Sequence, residues 1–112
     1  MDVSFSSGSM QKICNSRSEI IKCYGEENGK KLMMRLNELY AALNLSYISV
    51  NRPSRLHLLG QNRRGEFAVD LKHPYRLVFR PNHDPIPLLK DGGVDKAKIT
   101  RITIIEVVDY HG

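Results

Sequence analysis

The sequence lacks the long apolar run that a membrane-spanning helix requires. Such a helix needs a stretch of at least about 18 apolar residues, and no stretch of that length occurs in this chain. The chain also does not open with a positively charged segment followed by an apolar one, so a secretory leader is not expected. These absences argue against a membrane protein and predict a cytoplasmic location.

Cysteine is also scarce. The two cysteines, Cys14 and Cys23, show no Cys-x-x-Cys spacing and have no matching pair of histidines. Because structural zinc sites bring their ligands in closely spaced pairs, no zinc site is expected. The sequence predicts neither a metal nor a cofactor, and both cysteines are expected to pack as small apolar groups.

Acidic residues are fewer than basic ones, which bears on the kind of partner. The 112 residues include 17 Lys and Arg against 12 Asp and Glu, giving a formal net charge of +5. An excess of this sign favours polyanionic partners such as nucleic acid. Hydrophobic and charged contents of 41% and 26% are those of an ordinary globular chain, and the length fits one domain spanning residues 1–112.

Helical patterns occupy the first half of the chain. Ser16 and Glu19 form a capping box, which predicts the start of a short helix. This helix is expected to run through Cys23 and to end at Gly25. A longer helix is predicted over residues 29–43, where apolar residues recur every three or four positions. Its stripe consists of Leu32, Met33, Leu36, Leu39, Tyr40 and Leu43.

Short β-rich segments and turns make up most of the remaining sequence. A first strand is predicted at residues 2–5, with a turn at 6–9, and further strands are predicted at 55–59, 66–71, 75–80 and 99–108. Residues 81–98, rich in Pro, Gly and Asp, are expected to form a surface loop. The predicted fold class is therefore α+β, with an N-terminal helical hairpin packed on a mainly antiparallel β-sheet.

Three proton-handling residues, Asp109, Tyr110 and His111, follow the last predicted strand. Such groups at the edge of a rigid sheet can form an acid/base site. Side chains alternate along a strand, so Asp109 and His111 would share one face and Tyr110 the other, and the triplet also fits an ordinary polar strand end. From the residues alone both interpretations stay open.

Several short motifs follow one another in a characteristic order. They are Arg55-Leu56-His57, Arg63-x-Gly65-x-Phe67, Asp70-Leu71-x-His73-Pro74-Tyr75-Arg76-Leu77-Val78-Phe79 and Asp109-Tyr110-His111. Together they resemble the HigB-like branch of the RelE/ParE superfamily of bacterial toxins, and the resemblance runs from the capping box to residue 112. It implies a RelE-like fold, a β-sheet covered by an N-terminal helical hairpin.

By this resemblance the chain is expected to be the toxin of a type II toxin-antitoxin module. The implied activity is ribosome-dependent cleavage of messenger RNA, which inhibits translation. The implied partners are a helix-turn-helix antitoxin of the HigA type, the ribosome and messenger RNA, with no membrane and no small-molecule cofactor. Cleavage through the 2′-hydroxyl of RNA needs a base, an acid and a cation near phosphorus, which side chains alone can supply.

The resemblance also assigns residues to these roles. Proton handling falls to His57, Asp109 and His111, the phosphate contact to Arg76, and RNA positioning to Tyr110. The cations expected to contact RNA are Arg55, Arg63, Arg64, Lys72 and Arg80. Which histidine is the base stays open, and a salt bridge from Arg76 to Asp70 or Asp109 is the alternative structural interpretation of that arginine.

One position departs from the family pattern. Members commonly carry a lysine three residues after the histidine of the Leu-His motif, where this chain has Gly60. Arg63 and Arg64 are candidates to replace that cation, although a loop holds a charge less firmly than a strand does. Three alternatives to the nuclease therefore remain: a non-catalytic RNA- or ribosome-binding module, a ParE-like toxin directed at DNA gyrase, and a remnant that only binds antitoxin.

Overall fold

In the computed structural model, which describes residues 1–110, three helices pack against a five-stranded sheet. The helices are α1 (Gly8–Cys14), α2 (Arg17–Tyr24) and α3 (Glu26–Ala41). The strands are β1 (Asp2–Phe5), β2 (His57–Leu58), β3 (Phe67–Asp70), β4 (Tyr75–Pro81) and β5 (Arg101–Asp109). Short 3₁₀ turns cover Leu45–Tyr47, Gln61–Arg63 and Lys96–Lys98.

The strand order across the sheet is β1-β5-β4-β3-β2. β1 runs parallel to β5, and each of the other neighbouring pairs is antiparallel. The predicted α+β class and mainly antiparallel sheet are therefore confirmed. β2 is shorter than the predicted strand at 55–59, because Arg55 adopts a φ of 48°, which lies outside the β region.

The helical part differs from the prediction at two boundaries. The predicted turn at residues 6–9 gives way to α1, whose first turn is capped by the Ser7 side chain accepting from the Met10 amide. α3 begins at Glu26 rather than at Gly29, because Gly25 with a φ of 83° both ends α2 and precedes α3. A Cβ at Gly29 would lie 3.1 Å from Ile20 Cγ2, so this glycine permits the close approach of α2 and α3.

The predicted apolar stripe of α3 is only partly buried. Leu32, Leu36 and Leu39 belong to one buried cluster with the core residues of β3, β4 and β5, whereas Tyr40 is 46% exposed and Leu43, beyond the end of α3, is 71% exposed. Arg35 is buried on the same helix. Its polar atoms have partners there, because Nε donates to the Asp70 carbonyl at 2.8 Å and Nη1 donates to Glu38 at 2.8 Å.

The cysteines also differ from each other. Cys14 is partly buried, whereas Cys23 is exposed, so the expectation that both pack as apolar groups is wrong for Cys23. Residues 82–98 are largely irregular, as predicted for the loop, and contain one isolated bridge between Leu88 and Val94. Among residues 1–110 no helix combines the length and the apolar character needed to cross a membrane.

Candidate active site

Cross-strand register brings several predicted site residues to one face of the sheet. His57 lies opposite Ala68, Ala68 opposite Val78, and Val78 opposite Glu106, while Asp70 lies opposite Arg76. Residues directly opposite one another in antiparallel strands share a face. We call the face defined by His57, Asp70, Arg76 and Glu106 the polar face.

The other face of the same strands forms the core. Leu77 and Phe79 of β4 and Phe67 and Val69 of β3 are buried in the cluster that includes the helices. They alternate along their strands with the residues of the polar face, as side chains of a strand must. The polar face therefore points away from the helices.

Arg76 is the centre of the polar face. Its Nη1 lies 3.4 Å from His57 Nε2, and its Nε lies 3.8 Å from Asp70 Oδ1. Its Cζ lies 4.4 Å from the centre of the Tyr110 ring, an arrangement in which the ring stabilises the cation. The Arg76 side chain keeps 27% of its surface exposed, so it is not closed off from an anion.

The contacts of His57 favour one of the two neutral forms of its ring. Nδ1 lies 2.7 Å from the carbonyl oxygen of Arg55, which only accepts hydrogen bonds. Nε2 faces Arg76 Nη1, which only donates. A neutral imidazole with its proton on Nδ1 satisfies both contacts and leaves the basic lone pair on Nε2.

Asp70 joins two arginines. Arg55 donates to it through two nitrogens, from Nε to Oδ2 at 2.7 Å and from Nη2 to Oδ1 at 3.0 Å, and this hydrogen bonding raises the pKa of Arg55. The salt bridge between Arg76 and Asp70, the alternative interpretation of Arg76, is present at 3.8 Å. The guanidinium of Arg55, which is expected to contact RNA, is engaged by a carboxylate of the chain itself.

Arg63 is held between two carboxylates. Its Nη2 donates to Glu106 at 2.6 Å and its Nη1 to Glu66 at 2.9 Å, and these hydrogen bonds, that to Glu106 first, raise the pKa of Arg63. Arg63 lines an open pocket of about 280 Å³ together with Leu59, Gly60, Gln61, Asn62 and Tyr110. A Cβ at Gly60 would meet nothing within 4 Å, so the position has room for a side chain.

The side chains in these ion pairs balance one another in formal charge. The arginines in them are Arg55, Arg63 and Arg76, and the carboxylates are Glu66, Asp70 and Glu106. Three formal positive charges therefore meet three formal negative ones. The sequence interpretation missed Glu66 and Glu106, although Glu106 is the one charged residue in the apolar strand at positions 102–108, which was the available signal.

Of the predicted site residues at the end of β5 and after it, Tyr110 lies against Arg76, whereas Asp109 does not share its face. Tyr110 is tied to the start of β4 by its amide, which donates to the Pro74 carbonyl at 3.1 Å. Asp109 lies opposite Tyr75, so strand alternation turns it to the face opposite that of Arg76. His111 lies outside the described residues.

Three predicted RNA contacts also lie outside the ion-pair cluster. Lys72 pairs with Glu27 of α3 at 2.9 Å, which lowers the pKa of Glu27. Arg64 is exposed. Arg80 lies opposite Thr103, four residues along β4 from Arg76 and therefore about 13 Å away.

The chemistry that the polar face offers is that of a base, a cation and a phenol. Imidazole Nε2, a guanidinium and the Tyr110 ring meet around one point, where an anionic phosphate can be contacted by Arg76. Within the described residues, no group of three or more His, Cys, Asp or Glu side chains is arranged to hold a metal ion.

Comparison with known structures identifies the fold. A chain of the YoeB-YefM complex from Staphylococcus aureus matches this structure with a TM-score of 0.54 at 14% sequence identity, covering 100% of this chain and 98% of that chain. The fold is RelE/YoeB-like. No family model matches the sequence, and no curated protein matches it. The predicted RelE-like fold is therefore confirmed, while the HigB-like branch rests on the sequence motifs alone.

Proposed function

We propose that this chain is the toxin of a toxin-antitoxin module and cleaves messenger RNA on the ribosome. The observation that carries the proposal is the position of Arg76 between His57 Nε2 and the Tyr110 ring on the polar face. The RelE/YoeB-like fold and the HigB-like motifs of the sequence support it independently.

The proposed reaction is an internal attack within the RNA strand. His57 Nε2 takes the proton of a 2′-hydroxyl, whose oxygen then forms a bond to the adjacent phosphorus. Arg76 donates hydrogen bonds to the phosphate oxygens, where negative charge increases in the transition state. The bond from phosphorus to the 5′-oxygen breaks, leaving a 2′,3′-cyclic phosphate and a 5′-hydroxyl.

The leaving 5′-oxygen needs a proton, and we assign its delivery to His111. This assignment, like the role of Asp109 in proton handling, rests on the family resemblance. Tyr110 is 37% exposed, so part of its ring remains available for a nucleobase to stack on. Its other contact, with the Arg76 guanidinium, would keep the stacked base next to the phosphate.

The charge balance of the ion-paired side chains on the polar face supports dependence on the ribosome. A phosphate that approaches Arg55, Arg63 or Arg76 must compete with carboxylates already in place. Free RNA gains little from such a surface, because affinity for the phosphate backbone depends on uncompensated cations. An RNA strand that the ribosome already holds in position needs less electrostatic attraction to the protein. The placement of the catalytic groups is then sufficient for cleavage.

An antitoxin is the second proposed partner. The structural neighbour comes from a complex with YefM, which supports a protein partner for this chain as well. The formal net charge of +5 favours an acidic partner segment. The more specific expectation of a helix-turn-helix antitoxin of the HigA type is retained as part of this proposal.

Primer extension on a reporter messenger RNA tests the proposed activity. Purified protein is added to translating ribosomes and, separately, to the naked RNA. We expect cuts only on ribosomes, and a loss of about 10²- to 10⁴-fold in the cleavage rate of His57→Gln, the usual contribution of a positioned base. His83→Gln is the matched control, since His83 accepts amide hydrogen bonds from Thr100 and Arg101 in another part of the chain.

Cuts that persist unchanged in His57→Gln would discard the base, and cuts of naked RNA at the same rate would discard the ribosome requirement. The absence of cuts from a folded and toxic protein would favour the second candidate, a binding module without nuclease activity. Gly60 is the observation that favours it, because the cation common in the family is missing there. Gly60 has extended backbone and open space, so Gly60→Lys is accommodated. Cleavage gained only in that variant would show that the wild-type chain lacks nuclease activity because this cation is missing, as expected for a remnant that only binds antitoxin.

A further inference from the structure

A backbone conformation rare for L-residues lies directly beside the proposed base. Arg55 adopts a φ of 48°, in the left-handed region, where a Cβ is crowded by the backbone. The carbonyl oxygen of this same residue accepts the hydrogen bond from His57 Nδ1 at 2.7 Å. The direction of that carbonyl depends on the left-handed conformation, because φ and ψ set the orientation of each peptide group.

Two contacts hold Arg55 in this conformation. Its amide donates to the Asn51 carbonyl at 2.8 Å, which closes a tight turn. Its guanidinium is clamped on Asp70 by two hydrogen bonds of 2.7 and 3.0 Å. Asp70 belongs to β3, and its amide donates to the Ser54 carbonyl at 2.8 Å, so the segment before Arg55 is tied to the same strand.

The alternative protonation of His57 would conflict with both of its neighbours. With the proton on Nε2, two N–H groups would face each other between the imidazole and Arg76. The Nδ1 lone pair would at the same time face the carbonyl oxygen of Arg55, where neither group can donate. The Arg55 carbonyl therefore selects between the two neutral forms of the ring.

We propose that Arg55 is a positioning residue, which fixes the proton of His57 on Nδ1 and so keeps Nε2 as the basic nitrogen beside Arg76. The consequence for cleavage rests on the proposed function, whereas the protonation state is a property of the free protein. The guanidinium of Arg55 then serves the chain itself, as the clamp on Asp70, rather than the RNA.

Nitrogen-15 spectra of protein labelled at histidine measure this property directly. In the neutral ring a protonated and an unprotonated nitrogen have well-separated shifts, and their couplings to the ring protons differ. We expect wild-type His57 to show a protonated Nδ1 and an unprotonated Nε2 at a pH where the ring is neutral. The His57→Gln spectrum identifies the His57 signals among those of the other histidines.

Arg55→Ala and Arg55→Gly form the decisive pair of variants. Both lack the guanidinium, but glycine adopts a positive φ without steric strain, whereas alanine does not. We expect Arg55→Ala to show averaged nitrogen shifts, with the proton shared between Nδ1 and Nε2. Arg55→Gly should retain the wild-type pattern to a large extent, whereas an arginine that only bound RNA would leave the pattern unchanged in both variants.

Gln61 supplies the matched control, because it is the other non-glycine residue within positions 1–110 with a positive φ, 53°. The pair Gln61→Ala and Gln61→Gly introduces the same two residues at the same kind of backbone position. We expect these two variants to differ from each other in thermal stability, while the His57 nitrogen shifts remain those of the wild type in both.

The outcomes separate this inference from the proposed function. A wild-type nitrogen pattern in Arg55→Ala, or an equal loss of the pattern in the alanine and glycine variants, would overturn the inference. If the pattern changes as expected and no variant cleaves RNA, the inference stands and the proposed function fails. If both hold, the cleavage rate of Arg55→Ala falls about 10- to 100-fold in kcat, as for other partners that orient a functional imidazole, and Arg55→Gly recovers part of it.

Discussion

The two faces of β4 are held in place by different forces. On one face Leu77 and Phe79 are fully buried among apolar neighbours of the sheet and the helices. On the other face Arg76 is positioned by polar contacts with His57 and Asp70 and by the Tyr110 ring. A single strand therefore contributes to stability through one face and to chemistry through the other, because the apolar face depends on filled volume and the polar face on directed contacts.

Side chains on the two faces contribute different amounts to the free energy of unfolding. A fully buried leucine loses several kcal/mol when truncated, because a cavity is left behind. The ion pairs of the polar face keep between 23% and 45% of their side-chain surface exposed, and such pairs contribute about 1 kcal/mol or less each to stability. The polar face can therefore be altered with little loss of fold.

The largest effect is expected from the apolar face. Leu77→Ala should lower the free energy of unfolding by about 2 to 5 kcal/mol, because Leu77 has no exposed surface. Arg80→Ala, an exposed residue on the same strand, should change it by less than about 0.5 kcal/mol. Urea unfolding followed by circular dichroism measures both, and equal losses would show that the two faces do not differ as stated.

The next largest effect is expected for cleavage rather than for stability. Arg76→Lys keeps the charge but loses the planar group that contacts an imidazole, a carboxylate and an aromatic ring together. We expect cleavage on ribosomes to fall about 100-fold, the scale of losing one oriented donor to developing charge. The free energy of unfolding should change by less than about 1 kcal/mol. A large loss of stability with unchanged cleavage per folded molecule would assign Arg76 to the structure alone.

The apolar face was the more predictable of the two from the sequence. Apolar residues recur at every second position in β3 and β4 and at every third or fourth position in α3. Burial of one face of a strand or a helix produces these periods in the sequence. Local sequence patterns were ambiguous where the same residue type can either occupy a turn or cap a helix. The serine cluster at positions 6–9 indicates a turn, but Ser7 is the cap of α1.

Only some members of the polar face could be predicted from the sequence. Motif order selected His57 and Arg76 as site residues, and the structure brings these two side chains to 3.4 Å of each other. The pairing of Arg55 with Asp70 depends on the registers of β2 and β3 and on the left-handed conformation of Arg55, which no local pattern indicates. Contacts between side chains far apart in sequence follow from the assembled sheet, so a cation predicted to contact RNA was found on a carboxylate.

A smaller effect, on the free energy of unfolding at alkaline pH, is expected from Cys14 on the helices. Burial raises the pKa of the Cys14 thiol from 9.0 to about 11. The unfolded chain then loses this proton at lower pH than the folded one, so the stabilising contribution is complete below about pH 9 and is lost as the pH rises through about 11. Two units of pKa correspond to about 2.7 kcal/mol, and partial exposure of Cys14 reduces the expected loss to about 1 kcal/mol.

Urea unfolding of the wild type and of Cys14→Ala, at pH 8 and pH 10.5, measures this loss. The variant should lose less stability between the two pH values, by about 1 kcal/mol. Cys23→Ala controls for the removal of an exposed thiol elsewhere on the helices. An identical pH dependence in Cys14→Ala and the wild type would mean that the thiol is not held protonated by its surroundings.

The smallest effect tests the charge balance of the polar face itself. Glu106→Gln removes the carboxylate that receives Arg63 Nη2 at 2.6 Å, so one formal positive charge becomes uncompensated. We expect the affinity for a short single-stranded RNA to rise a few-fold at low salt and to regain a steeper salt dependence, because each uncompensated cation that meets a phosphate releases about one counterion. Fluorescence anisotropy at two salt concentrations measures both quantities.

Glu27→Gln is the matched control, because it removes an exposed carboxylate that pairs with Lys72 on the helix side at 2.9 Å. Both variants change the net charge of the chain by the same amount. If RNA lies on the polar face, only Glu106→Gln strengthens binding beyond the general effect of charge. Equal gains in the two variants would show that RNA responds to net charge, or to the released Lys72, as much as to Arg63, and would remove the polar face as its particular place of contact.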